Sequence, residues 1–353
     1  MKITVINGNL DEELYKFGLY YIGDYRVIER LFTLCKRETD KVYFVANENS
    51  FYEYKDIIKK HNVDVIFSNG ENVAEDIKGF YEDLDIVYFV DCTTFVERKI
   101  FCYADNADFC DENNEIYAIV RTGSKLISQE LKSVVKVLNC NGIVINSSKK
   151  YSEAIKKFYL SNALNLIDIG VNIIDVNNTY IGDDVVVYPG VVIYPSTQIN
   201  GHTVINERTI IYSNCCIEDA IVGSDCLIGP FSNLKKGTHV GKKCIVGAFV
   251  ELKNTVLKNN VKVKHHAYLG DGIVENNCNI GCGVIFANYD GKEKHKTLVG
   301  KNCFIGSNVT IVAPCNIGDN SFVAAGSTIV KEVEKYSLAI ARSRQVNKID
   351  YYK

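Results

Sequence analysis

The sequence lacks three things that would each point to a class of function. It has no excess of one charge: 40 basic and 43 acidic residues leave a net charge of −3, so bulk charge does not make it a nucleic-acid binder. It has no apolar run approaching the length of a membrane span, and its first residues, MKITVING, alternate like a strand rather than leading into an apolar signal core. It has no CxxC pair among 13 cysteines, so neither a paired-cysteine zinc site nor a disulfide framework is written into the spacing. The expectation is a cytoplasmic protein with reduced thiols, no metal, and neither membrane nor nucleic acid as partner. At 353 residues the chain is long enough for two domains, each with its own core.

The two halves follow different patterns. Up to about residue 165, short β-branched or aromatic runs (KITVI, KVYFVA, VDVIFS, DIVYFVD, IYAIVRT, GIVINS) recur. Amphipathic stretches such as YRVIERLFTLCKRE and SQELKSVVKVL lie between several of them. This predicts an α/β domain over 1–165 with a largely parallel sheet, closed by a helical stretch, SEAIKKFYLSNALNLI, that leads into the second half.

From about residue 180 a period of six takes over. Large aliphatics stand at Ile181, Val187, Ile193, Ile199, Ile205, Ile211 and Ile217, then, one residue early, at Val222, Ile228, Leu234, Val240, Val246 and Leu252. Two further slips give Leu257, Val263, Leu269 and Val274, Ile280, Phe286. Seven extra residues precede Val299, Ile305, Ile311, Ile317, Val323 and Ile329. The residue two positions earlier is nearly always small. Such a period predicts a β-solenoid over 166–353, three short strands to the coil, with the aliphatic and the small residue turned inward. Cys215, Cys226, Cys244, Cys278, Cys303 and Cys315 fall in the small inward slot, where a thiol serves as a compact apolar group.

The same register turns His265 outward, two residues after Val263. His265, Cys282, Ser307 and Ala325 each follow an inward aliphatic by two residues, one coil apart, and so form a column with neighbours about 4.8 Å apart. Lys235 and Lys253 each follow an inward leucine, also one coil apart; two stacked ammonium groups repel unless an anion lies between them, and the spacing alone fits a solvated lysine ladder equally well. The insertion ANYDGKE at 287–293 is expected as a loop beside that column, since loops extruded from a regular solenoid tend to carry function.

The segments GPFSNLKKG, GAFVELKN, HHAYLGD, NIGCGVIFANYDGKEKHKT, FIGSNVTIVAP and SLAIARSRQ, over 229–345, resemble the acetyltransferase domain of the bifunctional N-acetylglucosamine-1-phosphate uridyltransferase/glucosamine-1-phosphate N-acetyltransferase family. The resemblance implies a left-handed β-helix and a homotrimer. It also implies His265 as general base, with Lys253, Tyr268, Asn279 and Lys294 holding the amino sugar and its phosphate. Asn288, Tyr289, Ser307, Ala325 and Arg342 would contact acetyl-CoA. Three positions depart from the family: Lys235 stands for an arginine, Cys282 for an alanine at an acetyl-CoA contact, and Lys264 for a glycine. His266 matches no family role and is expected to be a surface neighbour.

The first half departs further. The family begins with a Gly-rich phosphate loop followed by a lysine, whereas here the first strand runs into NGNLDEELYKFG. VYFVDCTTFVE resembles the strand that ends in the family's metal-binding aspartate, which would make Asp91 a relic; the favoured reading of Asp91 is a polar residue that closes a strand. The implied function is acetyl-CoA-dependent N-acetylation of glucosamine-1-phosphate or a related amino-sugar phosphate, without uridyl transfer. The alternatives are a non-catalytic regulatory or assembly paralogue, and an N-acetyltransferase for a nucleotide-linked amino sugar.

Overall fold

The computed structural model describes the chain apart from residues 9, 11, 24, 69–75, 78, 81, 83–85, 96–106, 111–115, 123–136, 140–141, 350 and 352–353. It divides into two compact units, Met1–Phe158 and Tyr159–Lys353.

The first unit holds a seven-stranded sheet of β1 (Lys2–Asn7), β2 (Lys41–Ala46), β3 (Asp64–Phe67), β4 (Ile86–Asp91), β5 (Ala107–Cys110), β6 (Ile116–Thr122) and β7 (Val137–Asn139). Their order is β7-β5-β6-β4-β1-β2-β3. Strands β1 to β4 pair in parallel, and β6 runs antiparallel to both neighbours. The near-continuous apolar runs reflect a sheet with both faces buried. Ile6, Phe44 and Tyr88 pack with Ile28, Leu31 and Phe32 of α1 (Val27–Glu38) and with Tyr54 and Ile57 of α2 (Glu48–His61). Ile3, Val5, Val45 and Val87 form the opposite core. Helix α2 starts where Asn47 accepts a hydrogen bond from the Ser50 amide, 2.8 Å, and ends at Asn62 in a left-handed conformation. Apart from Val137 and Leu138, which open β7, the helix expected at SQELKSVVKVL lies outside the described residues. Asp91, at the end of β4, accepts a hydrogen bond from the Asn7 amide at the end of β1, 2.9 Å, and burial raises its carboxyl above the ordinary carboxylate range.

In the second unit the period of six becomes a left-handed parallel β-helix. Three sheets of ten, nine and eight strands form its faces. The first runs from Asn172–Ile173 to Leu338–Ala339, the second from Thr179–Ile181 to Thr328–Ile329 and the third from Val186–Val187 to Cys315–Ile317. All the inward aliphatics expected from the register are buried in one continuous core. The small slot has a second use besides size. Thr209 Oγ1 donates to the Gly223 carbonyl at 2.8 Å, and the thiols of Cys226, Cys244, Cys278 and Cys303 donate to equivalent carbonyls at 2.9–3.1 Å. All six inward cysteines are free.

Most turns at the corners use left-handed residues, a conformation that asparagine tolerates better than most. At the corner between the third and first faces, Asn260, Asn277, Asn302 and Asn320 all adopt positive φ. Their side-chain amides hydrogen-bond in sequence at 3.1–3.2 Å. Helix α3 (Ser148–Asp168) runs into the first coil: Asn162 Nδ2 donates to the Ile181 carbonyl at 2.8 Å, Tyr159 meets Tyr180, and Leu166 packs on the core.

Candidate functional site

Every departure from the six-residue interval between Ile181 and Ile329 falls at the corner joining the second and third faces. There the five-residue steps Ile217–Val222, Leu252–Leu257 and Leu269–Val274 occur, as does the long step Phe286–Val299 that carries the loop. The other two corners keep strict register, so the features expected side by side from the sequence separate onto two corners.

At the corner of the first and second faces, Val263, Ile280, Ile305 and Val323 pair in register, which carries His265, Cys282, Ser307 and Ala325 into one column. All four are exposed. Arg342 belongs to the same corner, its Cδ 3.7 Å from where a Cβ on Gly326 would sit. At the other corner stand Lys235, Lys253, Asn288, Tyr289 and Lys294. The loop is therefore not beside the His265 column, as the sequence reading had it, but across the second face from it. His265 and Asp271 mark the two corners of one coil; six residues of chain span at most about 20 Å.

The strand carrying His265 is one of a matched long pair. First-face strands such as Asn279–Ile280 and Phe304–Ile305 have two residues, but Lys262–His265 and its neighbour Ile245–Ala248 each have four, and Ala248 pairs with His265. Gly247, Gly281 and Gly306 pass so close to the next coil that a Cβ would lie 2.0–2.6 Å from its backbone, and Lys264 stands at the equivalent place in the His265 coil. Among the described residues the His265 side chain has no hydrogen bond or ion pair.

The second face between the corners is polar. Tyr268 and Asn279 lie half-buried on the second and first faces respectively. The Tyr268 hydroxyl reaches across its strand: a Cβ at Gly270 would lie 2.5 Å from it and 2.6 Å from Asn288 Nδ2, so only glycine leaves room for both. The register confirms Lys235 and Lys253 as neighbours, through Leu234 and Leu252. One of the two meets an anion that the six-residue period does not reveal. Glu251 binds Lys235 Nζ at 3.0 Å and keeps that ammonium's pKa above the ordinary lysine value. Lys253 and Lys294 make no ion pair among the described residues.

Asn288 is buried and donates to Asp271 Oδ2 at 2.5 Å, while Asn254 donates to Asp271 Oδ1 at 2.5 Å. The base of the loop is thus anchored to a buried carboxylate, which leaves Tyr289 exposed beyond it. Inside the loop, Asp290 accepts from the Lys292 and Glu293 amides at 2.8 Å and meets His295 Nε2 at 2.7 Å. Those contacts hold its carboxyl well below the usual carboxylate range.

The family model for bacterial transferase hexapeptide repeats matches residues 219–254 and 296–331. The bifunctional protein GlmU of Clostridium tetani is 44% identical over 208 residues, covering 54% of this chain and 46% of that protein. GlmU of Acetivibrio thermocellus is 37% identical over 254 residues, covering 67% and 54%. The chain spans about half the length of the curated relatives it matches. Among solved structures, Francisella novicida UDP-N-acetylglucosamine acyltransferase is 16% identical with a TM-score of 0.37, covering 46% of this chain and 65% of that one. The similarity to the GlmU proteins covers 54–67% of this chain.

Proposed function

We propose that this chain is an acetyl-CoA-dependent N-acetyltransferase whose acceptor is glucosamine-1-phosphate or a closely related amino-sugar phosphate, and that it works as a homotrimer. The observation that carries the reading is the division of one set of site residues between two corners, together with the character of the faces. Outward positions of the first face include Ile210, Leu227, Phe304, Phe322 and Leu338, and those of the third include Val186, Ile221, Val256 and Leu298. Outward positions of the second are mostly polar: Gln198, Asn233, Glu251, Tyr268, Thr310. Two apolar faces meeting at one corner mark an association surface. A closed three-fold ring with that corner inward sets the third face of one chain against the first face of the next. The cationic corner of one chain then adjoins the His265 corner of its neighbour.

In such a composite site His265 takes a proton from the acceptor amine as the nitrogen attacks the thioester carbonyl of acetyl-CoA. The C–N bond forms, the C–S bond breaks, and the coenzyme A thiolate leaves with a proton returned from the imidazole. Lys253 and Lys294 hold the acceptor phosphate, and Lys235 joins them by exchanging Glu251 for it. Being a lysine, Lys235 offers a point charge where an arginine would offer a two-pronged donor. Asn279 and Tyr268 contact the sugar. Tyr289, with Asn288 anchoring the loop behind it, together with Cys282, Ser307, Ala325 and Arg342, positions the acetyl and pantetheine groups. The direct test is thiol release from acetyl-CoA across a panel of amino-sugar phosphates and nucleotide-linked amino sugars. Release with the former supports the proposal, release only with the latter changes the acceptor, and none with any acceptor rejects the enzyme.

A further inference from the structure

We infer that His266 is a positioning residue that holds His265 for proton transfer, an inference that rests on the function proposed above. The residue after each column member lies in the left-handed region: Phe231, Phe249, His266, Gly283, Asn308 and Gly326 occupy successive coils. Glycine and asparagine take that conformation readily, whereas bulky rings do so only where their surroundings hold them. Here the rings hold one another. Phe231 stacks on Phe249 with centroids 5.1 Å apart and planes at 10°, and Phe249 stacks on His266 at 4.9 Å and 27°. The stack ends at His266, because the next coil has Gly283, over which the Asn308 side chain lies.

The backbone is anchored at the same residue. The His266 amide donates to the Ala248 carbonyl at 2.9 Å, and the Gly283 amide donates to the His266 carbonyl at 2.9 Å. In the coils above, the equivalent bonds run from Asn308 to Cys282 and from Gly326 to Ser307, that is, to the column residue itself. In this coil the acceptor moves one place, from His265 to His266. His266 is therefore tied to the coil below, the coil above and the stack. His265, adjacent and exposed, depends on that anchoring for its direction.

The test uses the full chain, with histidine labelled at Cε1 for NMR and with steady-state kinetics in parallel. His266→Ala is expected to lower kcat about tenfold at unchanged KM for acetyl-CoA, and to lower the order parameter of the His265 ring. His266→Phe, which keeps a flat ring on Phe249, is expected to restore both, and Phe249→Leu to reproduce the loss. Wild-type kcat in His266→Ala, a loss without change at the His265 ring, or a failure of phenylalanine to rescue would each overturn the inference. Should the wild-type chain transfer no acetyl group, the function proposed above falls, while the ring measurement still decides whether His266 orders His265.

Discussion

Mixing subunits puts the composite site to a quantitative test. His265→Ala removes the base from one corner, and Lys253→Ala removes a phosphate ligand from the other. Alone, the first should lower kcat by about 10²–10⁴-fold, the usual contribution of a general base. The second should cost about 1.5–3 kcal/mol, the worth of a charge-assisted hydrogen bond, read in KM for the acceptor. In a closed three-fold ring each site takes its cationic corner from one chain and its His265 corner from the next. Unfolding and refolding the two variants together at equal amounts fills each place at random. A site is intact only when a His265→Ala chain supplies the cations and a Lys253→Ala chain supplies the histidine. That happens with a probability of one half times one half, so about a quarter of the wild-type activity should return. The assay is thiol release at saturating acetyl-CoA, with the trimer confirmed by light scattering. Activity that stays at the sum of the two separate variants would place both corners' roles within one chain and refute the reasoning.

Other outcomes follow from single contacts. Glu251→Gln frees Lys235 and should lower KM for the acceptor about two- to fivefold while leaving stability nearly unchanged, since a half-exposed ion pair adds at most about 1 kcal/mol; a raised KM would mean that Glu251 itself binds substrate. The depressed carboxyl of Asp290 stabilises the loop above about pH 4 and loses that contribution as pH falls toward its folded pKa. Hydrogen-exchange protection of the Lys292 and Glu293 amides should fall over that range, and Asp290→Ala should abolish it at neutral pH. The full chain should release no pyrophosphate from UTP and N-acetylglucosamine-1-phosphate, with or without Mg²⁺; robust turnover would mean that the first unit holds a nucleotide site despite lacking the Gly-rich loop. A chain starting at Ser148 should keep acetyl transfer. One starting at Gly170 loses the Asn162–Ile181 bond and the cover of Leu166, and its Tm should fall by about 5 °C or more.

What the sequence made legible was whatever obeys a fixed period. An inward aliphatic every six residues is a one-dimensional signal, and it places Val263, Ile280, Ile305 and Val323 on one face, hence His265, Cys282, Ser307 and Ala325 in one column. It also put six of the cysteines inside, though it did not reveal the thiol hydrogen bonds that make Cys226 and Cys278 stand in for threonine. Glu251 was missed because it lies one residue before an inward leucine, at a position where any polar residue fits the pattern. Nothing in the period says that its carboxylate turns toward Lys235 in the coil below.

The misplacement of the loop shows where one-dimensional reasoning stops. The repeat treats the three corners as equivalent, and only assigning each hexad to a face tells them apart. With that assignment, the slips and the insertion gather at one corner and the strict column occupies another. The difference has a physical cause. A corner whose residues stack in register can present a straight column of small groups, as an extended pantetheine arm requires. A corner with variable spacing can project a loop and clustered lysines, as a compact phosphate requires. One corner cannot satisfy both demands, because an insertion that projects a loop breaks the ladder of left-handed residues above it. A β-helix that must bind both ligands therefore assigns them to different corners, and apposition of identical chains is the arrangement that brings those corners together.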